Sequence, residues 1–155
     1  MKRLICSAAV ALALTVPIAA DYASASIGST PHIDGAVQFP QTRARIVRHT
    51  IRLHIPQARS PLSHLIIDVP KGLIVSNNIT LTDNVKGKIN ADFSIVDNQI
   101  IVKLSQPLTS ESKLKLVLND VRIRGVSNAW LYRISAKSVG VNGEIPMGFA
   151  QIHVY

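Results

Sequence analysis

Between Arg48 and Ile55 the chain alternates without a break. His49, Ile51, Leu53 and Ile55 fall on one parity, Arg48, Thr50, Arg52 and His54 on the other, and Pro56 ends the run. Residues two apart share a side only in an extended strand, so this pattern demands a strand with one face buried and the other wet. Shorter runs repeat it. Leu65, Ile67 and Val69 precede Pro70-Lys71-Gly72, and Ile79 and Leu81 follow. Phe93 and Ile95 lead into Asp97-Asn98, a tight turn to Ile100, Val102 and Leu104. Leu114, Leu116 and Leu118 face inward with Lys113 and Lys115 outward, and after Asn119-Asp120 the apolar residues Val121 and Ile123 resume on the opposite parity. That switch predicts a bulge or a change of sheet. Two last runs, Ala129 to Val139 and Met147 to Tyr155, flank Asn142-Gly143, a hairpin signal. No helical period of useful length appears after Ser26, and about eight or nine strands result. The expected class is all-β, an immunoglobulin-like β-sandwich, with a closed β-barrel as the alternative.

The residues before Ser26 follow another logic. Lys2 and Arg3 precede an apolar stretch from Leu4 to Ala20, and Ala23-Ser24-Ala25 supplies the small residues that a signal peptidase requires. The expectation is a signal peptide over residues 1–25 and one sandwich domain over 26–155. Cys6, the chain's one cysteine, lies inside the signal and ahead of most of the apolar run, where a lipidated cysteine does not stand. The mature chain therefore has neither a disulfide framework nor a cysteine-built zinc site. Its 15 basic and 8 acidic residues leave it strongly cationic. For an exported protein, nucleic acid is not the expected partner.

Three segments carry a resemblance. They are Ile33-Asp34-Gly35-Ala36-Val37-Gln38-Phe39, the stretch from Thr50 to Pro56 ahead of Pro61 to Ile67, and the end Gly148-Phe149-Ala150-Gln151-Ile152-His153-Val154-Tyr155. Together they resemble a secreted cyanobacterial family catalogued as domain of unknown function 2808. The terminal string keeps that family's Gly, Phe, His and Tyr, with Ala150 and Gln151 where glycine and arginine are usual. The resemblance implies a periplasmic or extracellular cyanobacterial protein, and it implies no activity.

Catalytic chemistry finds little footing. His49 and His54 are five apart on one strand and point to opposite faces, so they cannot ligate one ion, and no two histidines have the spacing of two that a strand needs. His64 and Asp68 share a face but stand about 13 Å apart along it. The five histidines of the mature chain, His32, His49, His54, His64 and His153, read as surface residues, and no metal ligand or cofactor is expected among them. No Gly-x-Ser-x-Gly context holds a nucleophile, and the carboxylates sit mostly beside Asn or Gly, where turn capping explains them. Trp130 and Tyr132 share one strand face and could form an exposed aromatic platform for a sugar, or, as tryptophans in sandwich strands more often do, join the core.

The basic residues are the most informative feature. Arg48 and Arg52 line one outward strand face, Lys113 and Lys115 another, and Arg122, Arg124 and Arg133 add a third strip, while Lys86 and Lys88 read as loop charges around Gly87. With few acids to interleave, the field favours anionic partners. The expected function is an exported, non-catalytic binding or envelope-associated module that contacts an anionic envelope polymer or lipid surface, or a protein partner. The alternative is a periplasmic metal-binding or hydrolytic domain whose ligands come from separate strands. N-terminal sequencing of native protein should begin at Ser26, and a chain still beginning at Met1 would overturn the export reading.

Overall fold

A computed structural model describes residues 30–57 and 60–155; the segment read as a signal peptide lies outside the described residues. Eleven strands follow one another: β1 His32–Phe39, β2 Ile46–Ile55, β3 Leu62–Asp68, β4 Leu73–Ile74, β5 Ile79–Asp83, β6 Gly87–Lys88, β7 Ala91–Val96, β8 Gln99–Leu108, β9 Ser112–Ile123, β10 Ala129–Ser138 and β11 Ile145–His153. They form two antiparallel sheets. The first runs β1-β2-β9-β5-β6, with β4 also paired to β9, and the second runs β11-β10-β3-β8-β7. No ladder joins the two sheets among the described residues, so the closed barrel is excluded and the sandwich stands.

The parity of each run explains which side it buries. On β2, Val47, His49, Ile51, Leu53 and Ile55 are buried between the sheets, and on β9 Leu114, Leu116 and Leu118 meet them from the next strand. Asn119-Asp120 is a bulge, as the parity switch predicts: Leu118 pairs with His49 and Val121 with Val47, two residues of β9 facing one of β2. Asp120 takes φ 54° there, and Val121 returns to the core fully buried. Asp97-Asn98 turns β7 into β8 with φ of 48° and 60°, the left-handed pair that a two-residue hairpin requires. The β10–β11 hairpin forms around Asn142-Gly143, but through a wider loop, since its last ladder pair is Ala136 with Ile145.

Two expectations need correction. Trp130 and Tyr132 form no exposed platform: they are 4% and 0% exposed, because they share the inward parity of Ile134 and Ala136 on β10. The Trp130 ring packs onto Gly72 and Gly125, whose backbones approach so closely that a Cβ on Gly72 would meet Gly125 Cα at 3.2 Å. His49 is not at the surface either. It is fully buried, because its parity is that of Ile51 and Leu53.

Burying an imidazole requires partners for both nitrogens, and the sandwich supplies them. Gln38 Nε2 donates to the carbonyls of Pro40 at 3.0 Å and Thr42 at 2.9 Å, which leaves its Oε1 as an acceptor. His49 Nε2–H donates to that oxygen at 3.0 Å. His49 is then neutral, its Nδ1 is an acceptor, and the Tyr132 hydroxyl donates to it from the opposite sheet at 2.5 Å. The two rings meet edge to face, with centroids 5.6 Å apart.

Two predictions follow from this packing. Leu116→Ala should cost about 2–5 kcal/mol in urea denaturation and Lys115→Ala less than about 0.5 kcal/mol, because one step along β9 exchanges core for solvent. The second concerns acid. Burial pushes the His49 pKa down from 6.5 to about 4. The unfolded chain therefore takes up a proton below pH 6.5 that the folded chain refuses until about pH 4. The stability that neutral His49 supports is complete above that window, is lost as pH falls through it, by roughly 3 kcal/mol in all, and changes no further below it. His49→Gln should flatten this acid slope; an equally steep slope in the variant would assign it to other groups.

Candidate binding face

The outer face of the first sheet collects the cations that parity alone leaves scattered. Arg52 on β2 stands directly opposite Lys115 on β9, and Lys115 opposite Thr82 on β5. Thr82 in turn pairs with Lys88 on β6. Since directly paired residues share a face, Arg52, Lys115, Thr82 and Lys88 make one row across four strands, with neighbouring strands about 5 Å apart. The next row holds His54 opposite Lys113. At the β1 end of the first row is Gly35, and the Arg52 guanidinium leans over it, with Nη2 3.1 Å from where a Cβ would be. The absent side chain makes room for the charge.

Arg48 lies on the same face, about 13 Å up the strand from Arg52, with its guanidinium 5.1 Å from the centre of the exposed Phe39 ring. Phe39, Val37, Ile46 and Ile74 are exposed around this upper half of the sheet. Arg122 is at the far end, pairing with both Ile46 and Ile74, in a depression that also includes Asp120. The face is therefore graded, with a close row of cations at one end and exposed apolar side chains around Arg48 and Arg122 at the other. Among the described residues, Arg48, Arg52, Lys88, Lys113, Lys115 and Arg122 form no ion pair.

The third strip does not hold together. Arg133 is on the second sheet, on the opposite side of the sandwich, where Asp68 Oδ2 sits 3.6 Å from its Nε and Gln99 Nε2 donates to the other Asp68 oxygen at 2.7 Å. Ladder pairing brings Arg133 opposite Asp68, which parity on one strand cannot show. Arg124 follows β9 and lines a cleft of about 270 Å³ at one end of the sandwich, with Arg43, Arg45 and Trp130. The backbone amides of Arg124 and Gly125 both donate to the Gly72 carbonyl, which fixes this loop over the tryptophan.

Two members of the basic face escaped the sequence reading. Lys88 was expected in a loop, yet it belongs to a two-residue strand too short to show alternation. The second omission lies at the lower margin, where His32 and His54 are directly paired across β1 and β2 and their rings stack with centroids 4.8 Å apart. His32 Nε2 is 3.3 Å from Asp34 Oδ1 and His54 Nε2 is 3.0 Å from Glu111 Oε1. Its signal in the sequence is the His32-x-Asp34 spacing, a histidine and a carboxylate two apart, which a search for paired histidines passes over.

No protein-family model matches the chain, and no curated protein matches it. Solved structures do. The N-terminal domain of the Streptococcus gordonii adhesin Sgo0707 superposes with a TM-score of 0.57 at 9% identity, covering 81% of this chain and 32% of that one. BcpA, the major pilin subunit of Bacillus cereus, gives 0.55 at 12% identity, covering 80% and 40%. The pilus backbone RrgB of Streptococcus pneumoniae gives 0.51 at 11% identity, covering 70% and 31%. The chain thus spans well under half the length of each of these structures. At such identities, what this chain shares with them is the immunoglobulin-like β-sandwich fold.

Proposed function

We propose that the chain is an exported, non-catalytic binding module whose first sheet contacts anionic envelope material through its outer face. The observation that carries this reading is the row Arg52, Lys115, Lys88 with Lys113 beside it, cations from three strands aligned by ladder pairing with no acid between them. Like charges brought this close add their potentials, and a surface of that kind draws polyanions from a distance. A sheet face presents the charges at a fixed spacing, which suits a repeating polymer. The sandwich fold occurs in adhesin and pilin structures, which supports a place at the cell surface. The histidine with the depressed pKa, His49, is sealed between the sheets where no substrate reaches it. Membership of the cyanobacterial family catalogued as domain of unknown function 2808 belongs to the same proposal; the string that suggests it forms most of β11.

Retention on an immobilised anionic polysaccharide and on anionic liposomes should fall steeply between low and physiological salt, since such contacts are screened over about 10 Å at 0.1 M. The double reversal Arg52→Glu with Lys115→Glu should weaken binding about tenfold or more, while Lys103→Glu with Lys137→Glu, an equal change of net charge on the second sheet, should weaken it less than about threefold. Equal losses would assign binding to net charge alone. Absence of retention at low salt would overturn the anionic reading in favour of a specific protein partner.

A further inference from the structure

We propose that His32, Asp34 and His54 form a surface site for a divalent transition-metal ion of the zinc type, with Glu111 supplying a further carboxylate beside His54. One ligand atom from each of the three lies within 4.8 Å of the others. The backbone builds this proximity. His32 pairs with His54, Ile33 with Leu53 and Gly35 with Arg52, so Asp34 is an extra residue, a bulge in β1 with no partner on β2. Alternation keeps Ile33 packed against the core and Asp34 on the outer side with His32, and the bulge leaves Asp34 without a ladder partner while Gly35 pairs with the outward Arg52.

The hydrogen bonding prepares the nitrogens. His32 Nδ1 is 3.0 Å from the Thr30 carbonyl, which can only accept, so Nδ1–H donates there and Nε2 is the nitrogen turned toward the space shared with Asp34. Metal-ligating histidines commonly donate one ring N–H to a backbone carbonyl or carboxylate and turn the other nitrogen to the ion. Two imidazoles and one or two carboxylates match the donor preferences of zinc, whose ligands stand about 2.0–2.2 Å from the ion and so a little over 3 Å from one another. The His32–Asp34 and His54–Glu111 contacts, at 3.3 and 3.0 Å, already have that spacing. The widest separation must contract by about 1.5 Å, which rotation of half-exposed side chains accomplishes without moving the strands. An ion here joins β1, an edge strand, to β2.

The test is titration of the full, tag-free chain with zinc sulfate. Calorimetry should show one equivalent bound, and the thermal midpoint should rise with zinc concentration, as it must when an ion binds only the folded form. In the unmodified protein, the ring resonances of His32 and His54 should shift together with the first equivalent while those of His49, His64 and His153 stay in place. His32→Gln, Asp34→Asn and His54→Gln should each lower affinity about tenfold or more, with His153→Gln unchanged. The proposal is overturned by less than one equivalent bound, by an unchanged affinity in the His32→Gln, His54→Gln double variant, or by first shifts at His64 or His153.

Discussion

The bond from Tyr132 to His49 is the point on which the two sheets agree. Apolar burial between sheets is strong but has no direction, and a sandwich held by leucines alone could slide by a residue pair at modest cost. A buried hydroxyl and a buried imidazole tolerate no such slip, since each would lose its partner on the opposite sheet in a dry interior. Gln38 extends the constraint to β1, and its two carbonyl bonds extend it to the chain reversal at Pro40 to Thr42. Three strands and one connection are thus positioned by a polar chain that is fully satisfied at every link.

The same register fixes what the outside presents. With β2 and β9 held in one alignment by the core on their inner side, the opposite parity delivers Arg52 to Lys115 and His54 to Lys113. The cationic row and the histidine pair are therefore outer images of the inner packing. The second sheet shows the contrast: there Arg133 meets Asp68, and the charge is spent on a local ion pair.

Much of the fold was legible because alternation survives wherever a strand is long and one-sided, as on β2 and β9. The bulge at Asn119-Asp120 was legible for the same reason, since an extra residue inverts parity visibly. β1 was not, because the bulge at Asp34 and the small side chains of Gly35 and Ala36 blur its alternation. β4 and β6 were not, because two residues carry no period. The outward parity of Arg52 and Lys115 was read from each strand alone, whereas their contact depends on which strands become neighbours. That is decided by long-range packing, and no residue near either of them records it. Trp130 and Tyr132 were legible in principle: Leu131 and Arg133 occupy the exposed parity between and beyond them.

The bulge in β1 also bears on how the molecule meets others. A straight edge strand offers a row of unpaired amides and carbonyls on which a foreign strand can lie down. In the first sheet, one edge is β1, bent at Asp34 with a carboxylate and an imidazole beside the break, and the other is β6, only two residues long. Both margins are interrupted, which shortens the stretch on which a foreign strand could pair. A partner of the sheet's outer face would meet side chains on a plane, where charge and shape discriminate, rather than backbone, which accepts almost any sequence.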